Sequence, residues 1–284
     1  VPANPGGYSL TSNAISDTLK AEGLLSEYTS TFKPGAGGSV GLGAFQEIKG
    51  KPEAALVVGI ALTGGMYSNK SPLNLLSSTP IAKVLREYDA IVVPAASKYR
   101  TLNQLMDDLK AKPNGVAIAG GSKGGIDHQV IGLLAQKAGI DPTKLNYVVF
   151  SGGPEVITSV LSNSTQVGIS GSSEFAAFVA SGKLRVLGVS SAKSLTGFKG
   201  KTFVSQGYDL VYGNWRGIMA PADISAADRL NFIKVIDIMH ISPSWKAQLV
   251  KNNWDNEFAA GSAFKAFLEK HIPEINAVMK GLGI

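Results

Sequence analysis

Residues 116–134 read VAIAGGSKGGIDHQVIGLL, which is a short apolar run, a loop of glycine and serine, and the start of a helical pattern. The run Val116–Ala119 predicts a strand, and the spacing of Val130, Ile131 and Leu134 predicts a helix with one buried face. The first turn of a helix carries unpaired backbone N–H groups and about half a positive charge. Glycines in front of that turn let an anion approach the backbone closely.

The same arrangement occurs at three more places in the chain. These loops are Pro5-Gly6-Gly7-Tyr8-Ser9, Ser151-Gly152-Gly153-Pro154 and Ser170-Gly171-Ser172-Ser173. Serine adds hydroxyl donors to the backbone donors. Several such loops that face one cleft would form an anion receptor, and this receptor would require no cofactor.

Strands and helices alternate through the middle of the chain, which predicts βαβ units on a mostly parallel sheet. The helix after Thr101 begins with a capping box that Gln104 completes. Thr63-Gly64-Gly65 is expected to end the first strand. The predicted strands are 54–62, 90–93, 116–119, 147–150, 166–169 and 184–189, and the predicted C-terminal helices are 226–240, 244–251 and 262–280.

The C-terminal helices are expected to return and cover the first lobe. The prediction is therefore an α/β fold of two lobes joined by two crossing strands, 88–94 and 212–220. Lobe I comprises 1–90 and 214–284, and lobe II comprises 91–213. Ligands of open α/β sheets bind beyond the carboxyl ends of the strands, which here predicts a cleft between the lobes.

Composition narrows the class of protein. The chain has 284 residues, of which 44% are hydrophobic and 17% charged, as in globular proteins. The absence of cysteine excludes disulfides and thiol chemistry, and the three histidines are too dispersed for a metal site. No segment is long and apolar enough to cross a bilayer. No signal peptide is recognised, and a strand is expected before the first loop, so either the sequence is trimmed or this protein lacks that strand.

The net charge of +6 and the pI near 9.3 make nucleic acid the first partner to consider. Lysine and arginine are scattered, with no basic run and no aromatic residues between them, so nucleic acid is discounted. Two interpretations stay open, which are a mild positive field that attracts small anions and an ordinary solvated surface.

Gly120-Gly121-Ser122-Lys123-Gly124 also matches the nucleophile elbow of serine hydrolases, between a predicted strand and a predicted helix. Asp223, Asp228 and Asp237 precede His240 and His271, so the order acid–histidine exists in the chain. Both histidines fall in predicted helices, whereas the catalytic base usually lies in a loop after a strand. Hydrolysis through Ser122 therefore remains the alternative function.

Several single residues allow two interpretations. His128 either positions its loop by hydrogen bonding, which we favour, or contacts a ligand. Lys123 is either a solvated lysine or a counter-charge for a carboxylate. Trp215 is expected to pack in the second crossing, and the role of Arg216 is left open. The glycine loop 35–41 fails the dinucleotide spacing because Val40 takes the last glycine position.

Taken in order, the loops resemble the substrate-binding proteins of tripartite tricarboxylate transporters, the TctC or Bug group. Each piece alone is weak, and the ordered series is specific because it spans the chain. The matching pieces are Val1-Pro2-Ala3-Asn4-Pro5-Gly6-Gly7, Pro34-Gly35-Ala36-Gly37-Gly38, Asn69-Lys70-Ser71-Pro72, Ile91-Val92-Val93-Pro94, residues 120–128, Phe150-Ser151-Gly152-Gly153, Gly182-Lys183-Leu184-Arg185 and Asn214-Trp215-Arg216-Gly217.

This resemblance implies a monomeric, exported periplasmic receptor with the two-lobed Venus-flytrap fold, type II. It implies capture of an organic carboxylate for a membrane permease, with no cofactor, metal or catalytic residue. The ligand would be held by backbone N–H groups, hydroxyls and waters. The implied binding residues are Gly6, Gly7, Tyr8, Ser9, Ser122, Lys123, Gly124, Gly125, Ser151, Gly152 and Ser172, with Thr63 and Gly64 as weaker candidates.

The chain departs from the family pattern at several positions. Tyr8 stands where members often carry Trp or a small residue, Phe32-Lys33-Pro34 replaces Asn-Arg-Pro, and Lys123 replaces a small residue. Ser170 and Ser172 stand where amine-binding members carry an acid. Lys123 and the missing acid favour a ligand without an amino group, namely a di-, tri- or aromatic carboxylate.

Overall fold

Helices and strands alternate along the chain in the computed structural model, which describes residues 1–196 and 198–284. The helices in these ranges are α1 (Gly7–Ala21), α2 (Ser39–Gln46), α3 (Ile60–Ser68), α4 (Leu102–Ala111), α5 (Ile126–Lys137), α6 (Gly153–Leu161), α7 (Ser172–Ala180), α8 (Ala226–Ile241), α9 (Pro243–Asn252) and α10 (Ser262–Gly281). The strands are β1 (Leu56–Gly59), β2 (Thr79–Pro94), β3 (Ala117–Gly120), β4 (Asn146–Val149), β5 (Val167–Gly171), β6 (Leu184–Val189), β7 (Gly213–Ala220) and β8 (Ala259–Ala260).

The chain divides into two compact units. Unit 1 comprises Val1–Arg86 and Trp215–Ala277, and unit 2 comprises Glu87–Asn214 and Val278–Ile284. The chain therefore enters unit 2 within β2 and leaves it within β7. The last seven residues were expected in lobe I, but they belong to unit 2, where the Gln136 side-chain amide donates to the Gly281 carbonyl (2.8 Å). That the units act as two receptor lobes stays a prediction.

The sheet of unit 1 is antiparallel. β7 pairs with β1, with Gly59 opposite Arg216, and β2 pairs with β8, with Ala82 opposite Ala260. α1, α8 and α9 cover it, and the core contains the buried side chains of Ile15, Trp245 and Trp254. Trp215 packs edge-on against Phe264 and Phe267, as expected of a packing residue (ring centroids 6.0 and 5.4 Å).

The sheet of unit 2 is mixed. β3 lies between β4 and β5 and is parallel to both, while β2 pairs antiparallel with β5 and β6. The carboxyl ends of β3, β4 and β5 therefore lie at one edge. Glycine loops connect β3 and β4 to the helices that follow them, and β5 leads directly into α7. The predicted capping box of α4 is confirmed, because the Gln104 N–H donates to Thr101 Oγ1 (3.3 Å) and the Thr101 N–H to Gln104 Oε1 (3.3 Å).

Two predictions about the strands are wrong. The sheet is not mostly parallel, because β2 runs for 16 residues from unit 1 into unit 2 and meets its neighbours in the opposite direction. The apolar run 54–62 is not one strand, since β1 ends at Gly59 and α3 begins at Ile60. A short apolar run fits a buried strand and a buried helix equally well, so periodicity could not separate them.

Two glycines allow backbone to contact backbone in unit 1. A Cβ atom added to Gly65 on α3 would lie 2.3 Å from the carbonyl oxygen of Gly37 and 2.7 Å from its Cα. Gly37 itself has φ +63°, a left-handed conformation that favours glycine. The loop before α2 therefore rests directly on α3, with no room for any side chain between them.

Gly65→Ala is expected to destabilise the protein by about 1–3 kcal/mol, because the new methyl group overpacks a contact between two backbones. Urea unfolding measures this change. Gly43→Ala on α2 is the matched control: its added Cβ would meet only a Leu73 methyl at 3.6 Å. That control should be neutral or stabilising by up to about 1 kcal/mol, as for glycine to alanine inside a helix. Equal effects of the two substitutions would contradict the contact.

Candidate functional site

The first glycine loop of unit 1 leads directly into α1. The Gly6 N–H donates to Ser9 Oγ (2.8 Å), and the Ser9 hydroxyl donates back to the Gly6 carbonyl (2.8 Å). The predicted hydroxyl donor Ser9 is therefore used within its own turn. The donors of this loop are the N–H groups of the first helical turn, Gly7, Tyr8 and Ser9, which have no carbonyl partner within the helix.

Tyr8 joins the first turns of two helices. Its phenol oxygen accepts the N–H of Leu62 on α3 (2.8 Å), and its side chain is buried. Leu62 is the third residue of α3, so its N–H is one of those that the helix itself cannot satisfy. Tyr8 thus fixes the start of α1 against the start of α3 within unit 1.

Arg216 brings a buried positive charge to the same place. Its guanidinium lies over the Tyr8 ring, 4.1 Å from the centroid, and the residue is only 4% exposed. A Cβ on Gly59, the residue before α3, would lie 3.4 Å from Arg216 Nη1, so this glycine makes room for the arginine. A cation over a desolvated ring contributes about 2 kcal/mol. Two helix starts and one guanidinium therefore meet in unit 1.

Thr63 and Gly64 do not follow a strand, contrary to the prediction. Both are buried in the second turn of α3, and the Thr63 hydroxyl donates to the Gly59 carbonyl (3.2 Å). The carboxyl end of β1 is Gly59, four residues earlier in the chain. Any role of Thr63 and Gly64 in binding stays a prediction.

The loop 121–125 of unit 2 is closed by its own hydrogen bonds. The Gly125 N–H donates to the Ser122 carbonyl (2.8 Å), and Gly124 has φ +76°, which favours glycine in this turn. The Gly121 N–H donates to Asp127 Oδ2 (2.7 Å). The Ser122 hydroxyl and N–H and the first turn of α5 are the donors that this loop can offer to a ligand.

His128 positions this loop, which confirms the favoured interpretation. Its Nδ1 accepts the Gly124 N–H (3.2 Å), so the neutral ring carries its proton on Nε2. The ring stacks on Tyr147 with centroids 4.1 Å apart, and the Tyr147 hydroxyl donates to the Gly121 carbonyl (2.9 Å). Burial, and then the charge of Lys123, lowers the pKa of His128 from 6.5 to about 4.

The remaining predicted residues of unit 2 lie at the same sheet edge. The Phe150 N–H donates to the Gly120 carbonyl (2.8 Å), which brings the loop after β4 beside the loop after β3. The Ser151 N–H donates to Glu155 Oε2 (2.9 Å), and Ser172 begins α7 as a buried residue. The structure thus brings together the predicted set Ser122, Lys123, Gly124, Gly125, Ser151, Gly152 and Ser172 at the ends of β3, β4 and β5.

The loop 170–173 contains no acid, as the sequence shows, but a carboxyl group of the helix that follows it is bonded to its first serine. The Ser170 hydroxyl donates to Glu174 Oε2 (2.9 Å), and the Asn214 amide donates to Glu87 Oε1 (2.8 Å). Burial, followed by the charges of Asp127 and Glu87, raises the pKa of Asp89 well above 3.8. Sequence analysis missed this acidic cluster because its members lie far apart in the chain, where each resembles a solvated acid.

Helix starts in the two units differ in charge. The helices after β3, β4 and β5 each carry an acid in the first turn, namely Asp127, Glu155 and Glu174. α1 and α3 carry none. An acid in the first turn already satisfies much of the attraction of a helix for negative charge. The helix starts of unit 1 therefore leave more of this attraction for an external anion.

Unit 1 also contains a cavity of about 1060 Å³ that is separate from these loops. Its lining comes from α1, α2, β1 and α8 and is largely apolar, with Leu19, Phe45, Leu56 and Phe232 among its residues. None of the predicted binding residues lines it. The cavity therefore lies outside the candidate anion site.

Several solved structures share this fold. The periplasmic binding protein BugD shares 17% identity, with a TM-score of 0.85, over 99% of this chain and 95% of that one. MatC from Rhodopseudomonas palustris with bound malate shares 13%, with a TM-score of 0.81, over 97% and 95%. A protein of R. palustris with adipate shares 14%, with a TM-score of 0.87, over 100% and 96%.

The fold is therefore that of periplasmic binding proteins of the TctC/Bug type. The model of the tripartite tricarboxylate transporter family receptor, TctC, matches residues 29–283. The chain belongs to this family. Comparison with curated proteins finds no match. Across the described ranges, 1–196 and 198–284, every helix is too short or too polar to span a membrane.

The imidazole of His128 is expected to titrate near pH 4 in an NMR titration of the folded protein. Because this pKa lies below the ordinary value of 6.5, the contribution of the neutral ring to stability is complete above pH 6.5 and is lost as the pH falls toward 4. Lys123→Ala should raise the midpoint but leave it below 6.5, because burial is the larger cause. A wild-type midpoint at the ordinary value would contradict this environment.

Proposed function

We propose that the protein is the solute receptor of a tripartite tricarboxylate transporter and that it binds an organic carboxylate. The single observation that carries the proposal is the convergence in unit 1 of the buried Arg216 guanidinium with the first turns of α1 and α3. Family membership supports the receptor class. The malate and adipate in two solved relatives support a carboxylate as the ligand.

The two units then have different roles in recognition. Unit 1 binds the carboxylate charge, because its helix starts carry no acid and lie beside a guanidinium. Unit 2 contributes hydroxyl donors from Ser122 and Ser172 and the positive charge of Lys123. The ligand class follows as a di-, tri- or aromatic carboxylate. That both sets of loops contact one ligand in a shared cleft stays a prediction.

The donors of unit 1 can supply a useful affinity. Each hydrogen bond to a charged group contributes roughly 1.5–3 kcal/mol, and a helix start adds about 0.3–1 kcal/mol. A micromolar dissociation constant corresponds to about 8 kcal/mol. Four to six such contacts at about 3 kcal/mol each total roughly 12–18 kcal/mol, which leaves about 4–10 kcal/mol to offset the cost of ordering and desolvation, with no metal or cofactor.

A receptor without catalytic activity is the function we propose, in place of a hydrolase that uses Ser122. A nucleophilic serine requires a base within hydrogen-bonding distance. Among the described residues, no histidine nitrogen is hydrogen-bonded to Ser122, and His128 Nδ1 accepts the Gly124 N–H instead. The nucleophile-elbow pattern therefore has no support beyond its sequence.

The biological setting is part of the same proposal. The receptor is exported to the periplasm, acts as a monomer, and delivers its ligand to the membrane permease of the transporter. No nucleic acid is involved. The family supports this setting through its role as a transporter receptor.

Arg216→Gln is expected to weaken carboxylate binding by about 10- to 150-fold, which corresponds to the loss of one charge-assisted contact. A thermal-shift screen first identifies which of malate, citrate, adipate and benzoate binds best. Calorimetry then measures the dissociation constant of that ligand for the wild type and the variant. Arg86→Gln is the matched control on the same sheet, because Arg86 pairs with Glu257 (2.9 Å). Binding that survives Arg216→Gln in a folded variant would reject the site in unit 1.

Lys123→Ala is expected to weaken a trianion such as citrate more than a monoanion such as benzoate, because the Coulomb attraction grows with ligand charge. The ratio of the two dissociation constants, measured at low salt, reports this difference. Lys112→Ala removes an exposed lysine of the same unit and serves as the control. If the substitution weakens both ligands equally, Lys123 does not act as a counter-charge.

A further inference from the structure

Four carboxyl groups from three elements meet inside unit 2. Glu87 and Asp89 lie two residues apart on β2, so they point to the same face of the sheet. Asp127 comes from the first turn of α5 and Glu174 from the first turn of α7. Glu87, Asp89 and Asp127 are 2%, 1% and 6% exposed, so they cannot rely on water to stabilise their charges.

Three of these groups receive a hydrogen bond from a neutral donor. Asn214 donates to Glu87 (2.8 Å), Ser170 donates to Glu174 (2.9 Å), and the Gly121 N–H donates to Asp127 (2.7 Å). Asp89 is different. Within the described residues no donor reaches either of its carboxyl oxygens. The Asp127 carboxyl group lies close enough for its charge and a side-chain hydrogen bond to raise the pKa of Asp89.

Two carboxyl groups in hydrogen-bonding contact require a proton, because an ionised carboxylate only accepts. Two ionised carboxylates at that distance repel each other strongly, as in the dyads that share one proton. We infer that Asp89 and Asp127 share one proton, and that this proton holds Asp127 where it accepts the Gly121 N–H. Asp127 is then a positioning residue for the loop 121–125.

The neighbouring groups reinforce this arrangement. Glu87 on β2 and Glu174 on α7 add negative charge, and Tyr147 on β4 and His128 on α5 are neutral at neutral pH. Burial is the largest cause that raises the pKa of Asp89, followed by the charges of Asp127 and Glu87. Burial, then the charges of Asp127 and Asp89, likewise raises the pKa of Tyr147 above its usual 10.

The shared proton makes the loop sensitive to pH. Because the pKa of Asp89 is raised on folding, the folded protein binds one proton more than the unfolded chain from about pH 4 up to the raised pKa. The contribution of this proton to stability is therefore complete at the acidic end and is lost as the pH rises through the raised pKa. If the proposed function holds, carboxylate affinity falls over the same range, because ionisation of both groups displaces Asp127 from the loop.

The test is urea unfolding without ligand, from about pH 5 to about pH 9, of the full-length protein and three variants. Asp89→Asn and Asp127→Asn each replace the proton by an amide that donates to the remaining carboxylate. Asp89→Asn should lower the pH slope by one proton, which is about tenfold in the unfolding constant per pH unit. Asp127→Asn should lower the slope by less, because burial still raises the pKa of Asp89 in that variant. The control Asp209→Asn, a 98% exposed carboxylate, should keep the wild-type slope.

The outcome separates a shared proton from a structural role. Unchanged slopes in both variants would overturn the inference, and so would a lower slope in only one of them, because that proton would belong to a single carboxyl group. Should a variant fail to fold, carbon NMR of the wild-type carboxyl groups decides the question. One carboxyl group of the pair should titrate with a strongly raised pKa, and its titration should also shift the signal of the other group. If both groups titrate independently near pH 4, the shared proton is rejected. No ligand is used, so this result is independent of the proposed function.

Discussion

Negative charge at the start of a helix is the interaction on which the candidate site depends. Every loop that sequence analysis singled out leads into a helix whose first N–H groups lack carbonyl partners. In unit 2 the protein supplies the negative charge itself, through Asp127, Glu155 and Glu174. In unit 1 it supplies none at α1 and α3, and Arg216 adds a buried positive charge. The helix starts of the two units therefore differ in the charge that the protein places beside them.

Side chains of α5 and β4 hold the loop 121–125 by hydrogen bonds. The backbone of the loop bonds to Asp127, His128 and Gln129, all on the helix that follows it. Gln129 in turn accepts the Tyr212 hydroxyl (2.6 Å), and Tyr147 bonds the other side of the loop. A loop held by this many side chains loses little conformational freedom when a ligand binds, which favours affinity.

Sequence patterns predicted most elements of the fold. The C-terminal helices, the capping box and β6 follow from periodicity and local chemistry, which act within a few residues. The first nine residues of β2, 79–87, were missed because Lys83, Arg86 and Glu87 interrupt any apolar run. The acidic cluster was missed for a related reason: Glu87 and Glu174 are 87 positions apart, and only the pairing of β2 with β5 brings them together. The position of Arg216 over Tyr8 likewise depends on packing that no local pattern encodes.

Recognition through main-chain amides has a consequence for how such a protein diverges. The N–H groups of Gly7, Tyr8 and Ser9 belong to the polypeptide itself, so almost any substitution keeps them, and proline alone deletes one. Side chains around the loops can then drift freely while the charge preference persists. This is compatible with a shared architecture among chains that are only 13–17% identical. It also means that an engineer who wishes to retarget the pocket should vary the surrounding side chains and leave the glycine turns untouched.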